Sequence, residues 1–397
     1  MSMDGNFHSG DVFDPTKVDS RPIVFVFDRV MHYHRATLQE INRCLELRGI
    51  RFCVLSAQDK VGAVGRVAES GKIVPWHDHF DLTERRFWGY QARYQHRVVD
   101  MLKAVTPSVV VTMCHAGTIS EWQILKWAGR RGIRRVAWQC GYEYSPGRGL
   151  KRLALTRFIP RFDFHLCYHT NAKNYSIEYG ARPAETLVMH NTIDERAISP
   201  EVSFEAKLSL VKRHPALRDK KLILYVGAVL QEKRLELVFQ ALDILSRSDT
   251  VFIVVGDGPH LATLKAHYAE REDWISVGSV VKGVGLYFDA ADVFVLPGTG
   301  GLAINEAMAH RLPVISGYAD GSADDLVVDG VTGFRLQDET SAELADRLQA
   351  LLSDLERARA MGLAGEQRIR GSLSFESFID RVVGVLVTQH ALAIQDR

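Results

Sequence analysis

The residues of this 397-residue chain best suited to chemistry lie between Asp292 and Phe334, DVFVLPGTGGLAINEAMAHRLPVISGYADGSADDLVVDGVTGF. Gly298, Gly300 and Gly301 crowd a short turn after Pro297, and Glu306 follows one helical turn later. Glycines at that density let the backbone bend sharply and aim several N–H groups at one point. A helix starting there adds the positive end of its dipole, so the pattern suits a phosphate. The amides of Gly298, Thr299, Gly300, Gly301, Leu302 and Ala303 would hold it. Glu306 is placed to accept hydrogen bonds from a vicinal diol such as a ribose.

Such a loop must be held between a strand and a helix. The branched and aromatic run 293–296 reads as the strand, helix formers (Ala303, Glu306, Ala307, Met308, Ala309) follow, and 313–316 begins another strand. The same alternation runs along the whole chain. Strands are expected at 23–27, 51–55, 108–113, 134–138, 162–168, 222–226, 252–255 and 274–277, and helices at 34–48, 83–104, 119–130, 171–179 and 374–390. Alternating strands and helices imply α/β architecture with parallel sheets and a site at the carboxyl edge of the strands. On that edge in the first half stand Asp28, Arg29, His32, His34 and Arg35, then Cys114, His115 and Thr118, then 139–144 with Glu143. These are the candidate acceptor-site residues.

Composition narrows the class. At this length, with 46% hydrophobic and 24% charged residues, the chain suits two domains. A net charge of +1 gives no global field toward nucleic acid. Five scattered cysteines without CxxC spacing argue for a reducing compartment and against a structural zinc site. Residues 1–20 read as a flexible polar leader without signal-peptide character, and no continuous apolar run approaches the ~20 residues of a spanning helix. A cytoplasmic protein is expected. The basic segment 148–161 (Arg148, Lys151, Arg152, Arg157, Arg161, interleaved with Leu and Phe) reads either as a peripheral surface for anionic lipid or as a solvated helix face. Oligomeric state leaves no signature.

Taken together, the glycine loop, the EAMA helix, the PVI strand and DGVTGF resemble the donor-binding signature of family-4 retaining glycosyltransferases. That resemblance implies a GT-B fold, two Rossmann-like domains facing across a cleft: a leader at 1–20, an acceptor domain at 21–205, a nucleotide-sugar domain at 206–372, and a last helix, 373–397, crossing back to the first. The stretch 190–220, opening with HNTID, reads as the linker region. The substrate implied is a nucleoside diphosphate sugar, the acceptor a saccharide or lipid-linked saccharide, and no cofactor or metal is implied. Gly227 and Lys233 match a GR-loop-K pattern whose cations neutralise the diphosphate, and Gly256 and Gly258 match GDGP. Val281 and Lys282 fall where the base is read by main chain. Tyr33 to Arg35 is similar to a tyrosine-arginine pair after the first strand.

Three positions depart from the family. Ala228 stands for the arginine, Gly298 for the first of two glutamates, and Gln139 or Cys140 for a histidine. His115, on the neighbouring strand end, is the candidate substitute, and with Lys233 and Glu306 completes the expected catalytic set. Two other readings stay open: a GT-B binding partner that has lost the chemistry, and a sugar-nucleotide epimerase or hydrolase using Asp28 and Glu143.

Overall fold

The computed structural model describes residues 21–31, 33–57, 72–87, 90–140, 149–200, 203–280, 282–318 and 320–395. In the first domain the strands are β1 (Ile23–Phe27), β2 (Phe52–Ala57), β3 (His77–Phe80), the separate hairpin β4 (Leu82–Phe87) and β5 (Tyr90–Gln95), β6 (Val109–Thr112), β7 (Arg134–Gln139), β8 (Phe164–Cys167) and β9 (Thr186–Val188). Its helices are α1 (His34–Glu46), α2 (Val98–Val105), α3 (Ile119–Gly129), α4 (Leu150–Phe158) and α5 (Thr170–Glu178). The second domain carries β10 (Lys221–Val226), β11 (Thr250–Val255), β12 (Trp274–Gly278), β13 (Val293–Leu296), β14 (Val314–Ser316) and β15 (Gly333–Arg335). Around it lie α6 (Ser203–Arg213), α7 (Glu236–Leu245), α8 (Leu261–His267), α9 (Gly285–Ala290), α10 (Leu302–Ala309), α11 (Ala323–Leu326), α12 (Ser341–Ser353) and α13 (Leu355–Arg370), before α14 (Phe375–Gln395).

The first sheet runs β3-β2-β1-β6-β7-β8-β9 and the second β12-β11-β10-β13-β14-β15. All pairings in both are parallel. Helices cover both faces of such sheets, which is why the central strands IVFVF, VVVT, TVFIVV and VFVL are buried end to end. In each sheet the strand order reverses once, between β1 and β6 and between β10 and β13. The reversal parts the two flanking loops and opens a crevice at the carboxyl edge.

Three expectations fail. Residues 83–104 do not form one helix: they fold as the β4–β5 hairpin followed by the short α2. Tertiary pairing overrides the helical spacing of apolar residues there. Glu84 faces Arg93 across the hairpin, Arg29 donates to both Glu84 oxygens at 3.2 and 2.9 Å, and Gln95 N–H donates to Ser120 Oγ at 3.0 Å. The stretch 190–220 is not an open linker, because α6 places Ala206 and Leu210 in the second domain's core. And one stretch, Leu355–Gln395, is apolar enough by length and composition to cross a membrane. It comprises α13 and α14. The apolar residues of α14, Phe375, Phe378, Ile379, Val382, Val383 and Leu386, lie in the core of the first domain against Ile23, Phe25 and Trp138. It is therefore a core helix.

Candidate active site

At the second domain's reversal point, two loops meet almost backbone to backbone. A Cβ on Gly298 would lie 2.1 Å from the Glu232 carbonyl oxygen and 2.6 Å from Lys233 Cα. No side chain fits there while 232–233 stay in place, which gives a physical reason for the glutamate missing at this position. The Thr299 N–H donates to Glu232 O at 3.0 Å, and Lys233 Nζ donates back to the Thr299 carbonyl. Gly300, at φ +138°, turns under the ammonium: its Cβ would lie 3.2 Å from Lys233 Nζ. Thr299 Oγ1 is buried without a hydrogen-bond partner among the described residues. Leu302 and Ala303 form the first turn of α10, and Glu306, half-buried, stands one turn in. Lys233, Glu306 and the turn 298–303 are thus brought to one crevice, but the Thr299 amide, expected to face a phosphate, is taken by the Glu232 carbonyl.

The remaining donor candidates divide. Gly227 and Gly256, at φ +147° and +148°, let the loops after β10 and β11 touch, since a Cβ on Gly256 would fall 1.8 Å from Gly227 O. Gly258 packs likewise against Val229. They shape the crevice. Lys282 is exposed after the edge strand β12, apart from the phosphate loop in sheet order. Val281 and Glu143 lie outside the described residues, as do His32 and residues 1–20.

At the first domain's reversal point Asp28 and His115 come together as their strand ends require. Asp28 accepts from Gln95 Nε2 at 2.7 Å and from Arg93 Nη1 at 3.1 Å, and His115 Nδ1 lies 3.6 Å from Asp28 Oδ2. Burial alone would raise the Asp28 pKa, but bonds and charge from His115, Arg93 and Gln95 outweigh it and hold the carboxyl below its ordinary value. Burial opposes charging His115, yet the neighbouring Asp28 carboxylate, Cys140 and the charge of Glu121 raise it to about 10. Arg93 Nη1 also stands 3.0 Å from His115 Nδ1. A doubly protonated ring cannot accept there, so charging His115 requires Arg93 to withdraw onto Asp28 and Glu84. The shift is upward because the Asp28 carboxylate stands beside the ring.

Glu121, on the first turn of α3, was not foreseen. It is 1% exposed, and its Oε2 accepts from Thr112 Oγ1 at 2.8 Å and from the His115 N–H at 3.2 Å. It thereby holds the turn through Cys114, whose φ of +59° is unusual for a residue with a side chain. Burial raises its pKa to about 7 against the opposing charge of His115. Arg93 was also missed, hidden inside the misread helix.

Other candidates serve the fold. His34 Nδ1 accepts from the Met31 N–H at 3.2 Å, and its ring stacks on Phe27. Arg29 is committed to Glu84, and Arg35 lies half-buried on the first turn of α1. Gln139 is 4% exposed and accepts from Ser176 Oγ at 2.7 Å, so of the two residues at the departed histidine position it is Cys140 that meets His115. Ser56 and His77, 2.8 Å apart, look like a nucleophile and base. The Ile73 N–H donates to His77 Nδ1, which leaves the ring proton on Nε2 and no lone pair for the serine proton.

The two crevices face each other through direct contacts. Thr170 N–H and Asn171 Nδ2, at the start of α5, donate to Asp325 and Asp324 of the second domain, both at 2.7 Å, and Asn305 Nδ2 donates to Thr192 Oγ1 at 3.1 Å.

Residues 209–368 match the family model described as "Glycosyl transferases group 1". The sulfoquinovosyl transferase SQD2 of Arabidopsis thaliana is 30% identical over 198 residues, 48% of this chain and 38% of that protein. A GDP-mannose-dependent alpha-(1-6)-phosphatidylinositol monomannoside mannosyltransferase of Mycolicibacterium smegmatis is 27% identical over 189 residues, 44% of this chain and 48% of that protein. The chain thus spans less than half the length of these relatives. Among solved structures, Anabaena Alr3699/HepE in complex with UDP aligns at a TM-score of 0.66 with 15% identity, covering 92% of this chain and 100% of that one. Sucrose-phosphate synthase from Thermosynechococcus elongatus aligns at 0.71 with 16% identity, covering 94% and 100%. Residues 209–368 therefore match the group 1 glycosyl transferases, and the chain as a whole has the GT-B fold.

Proposed function

We propose that the chain is a glycosyltransferase of the family-4 retaining kind, moving a hexose or related sugar from a nucleoside diphosphate to a saccharide or lipid-linked acceptor in cell-surface polysaccharide or glycoconjugate assembly. One observation carries this reading. Lys233 and the Gly298–Gly301 turn meet at a reversal point ahead of α10, where an anion gains from amides, ammonium and helix dipole together. The diphosphate lies there, with its ribose on Glu306, and the UDP and UDP-glucose held by the HepE structures support a nucleotide sugar. The acceptor lies opposite, around Asp28 and His115.

In the transfer, the bond from the anomeric carbon to the diphosphate oxygen breaks as the bond to the acceptor oxygen forms. The acceptor proton passes to a phosphate oxygen of the leaving group, whose charge Lys233 and the loop amides stabilise. The reaction is cytoplasmic, and it runs without a divalent ion. EDTA should leave the rate intact; a rate abolished by chelator and restored by magnesium or manganese would refute metal independence.

The decisive assay is a donor and acceptor panel with purified protein. Nucleoside diphosphate released only when acceptor is present supports the transferase. Release without acceptor indicates a hydrolase. Binding without any release favours the chemically silent partner, a reading suggested by Ala228 and Gly298.

A further inference from the structure

A glutamate at 298 has no room, yet a carboxylate reaches the same turn from another element. Asp320 lies between β14 and α11. Its two oxygens lie 3.0 and 3.1 Å from where a Cβ of Gly301 would be, and Ser322 Oγ lies 2.4 Å from that point. Only glycine at 301 lets this carboxylate stand against the turn. Ser322 fixes one oxygen, donating its hydroxyl to Asp320 Oδ1 at 2.5 Å and its N–H at 3.0 Å. Among the described residues Oδ2 accepts no hydrogen bond. The neighbouring residue faces the first domain, since a Cβ on Gly321 would lie 3.0 Å from His169 Cε1 and 3.1 Å from Asn171 Nδ2. Asp320 is close enough to that domain for its charge to act on His169 and Tyr168. It therefore lies in the cleft, between the phosphate turn and the acceptor domain, where the sugar of a bound donor would have to lie.

A carboxylate there is chemically selective. It repels the diphosphate and any anionic sugar, and it attracts hydroxyl donors, which it binds more strongly than a neutral acceptor would. Phosphate binding therefore does not account for it. We infer that Asp320 reads the donor sugar, accepting hydrogen bonds from the hydroxyls of a neutral sugar through Oδ2 while Ser322 holds Oδ1, and so replaces from the β14–α11 loop the acidic group that Gly298 excludes. This rests on the donor reading above.

The test compares a nucleotide sugar with its own diphosphate. Wild type, Asp320→Asn and Ser322→Ala are titrated calorimetrically with UDP, GDP and ADP and with their glucose, mannose and glucuronic acid conjugates, with melting temperatures checking the fold. In Asp320→Asn, affinity for the neutral nucleotide sugar should fall about tenfold or more relative to the diphosphate. Affinity for the bare diphosphate should hold or rise, and discrimination against the glucuronic acid conjugate should shrink. Ser322→Ala, which only releases the carboxylate, should weaken the neutral sugar conjugate in the same direction by less. An unchanged ratio in a folded Asp320→Asn, or equal tightening of sugar and diphosphate, would overturn the inference and leave the donor reading standing. A wild type that binds no nucleoside diphosphate would overturn both.

Discussion

On the proposed reading Glu306 and Lys233 would hold opposite ends of one ligand, so their substitutions should separate. Glu306→Gln removes a charged acceptor worth about 1.5–3 kcal/mol and should weaken nucleoside and nucleoside diphosphate alike by roughly tenfold to a hundredfold. Lys233→Ala should weaken only the ligands that carry phosphate, because its ammonium faces the turn and not α10. Calorimetric titration with nucleoside, monophosphate and diphosphate reads both. Glu121 makes a prediction of another kind. Its pKa is raised from an ordinary 4.5 to about 7 in the folded chain. The stability it contributes is therefore present below pH 4.5 and lost as pH rises toward 7. Glu121→Gln, which cannot titrate, should gain on wild type between pH 5 and pH 8 by about 1–3 kcal/mol in urea unfolding. A constant difference across that range would show that the carboxyl stays ionised. The placement of Lys233 and Glu306 beside the glycine turn was legible because both follow closely on a strand end. Glu121, Arg93 and Asp320 were not, because each acts on a residue brought near by the fold: His115, Asp28 and Gly301.

Elements were readable wherever burial set the pattern. The central strands announce themselves as unbroken apolar runs, and α14 as a periodic one. The hairpin β4–β5 failed because it joins neither sheet, so nothing imposes an in-out alternation, and Glu84 pairs there with Arg29 and Arg93. The basic segment is in part α4, with Arg148 outside the described residues. Leu150 is 84% exposed and Leu153 48%, while Leu155 and Phe158 are buried, so an apolar edge faces outward beside Lys151 and Arg157. Arg152 pairs with Glu178 and stacks over Tyr179, and Arg161 lies over Trp122, so part of the charge is used within the domain. Replacing Arg148, Lys151, Arg152 and Arg157 by Ser should still lower binding to anionic vesicles, at about 1 kcal/mol per charge that reaches the surface. Equal pelleting of mutant and wild type at low salt would mark α4 as an ordinary solvated helix.

At the scale of the molecule, the doubly wound order of both sheets was anticipated, and the closeness of the domains was not. The polar contacts of Thr170, Asn171 and Asn305 across the cleft leave no trace in sequence, since their partners lie more than a hundred positions away. The same distance separates α14 from the core it completes. Beyond its packed face, α14 ties back through Ser108 and His390 at 2.6 Å and through Arg134 and Gln389 at 2.9 Å. A chain ending at residue 373 should therefore keep the cooperative transition of the second domain in scanning calorimetry and lose that of the first. The arrangement also bears on synthesis. A ribosome delivers the first domain's strands long before the helix that covers them, so the second domain, contiguous in sequence, can close while the first still exposes Phe25 and Trp138. During translation the N-terminal half is the client in need of shelter, and the last turns of α14 to emerge are what end that need.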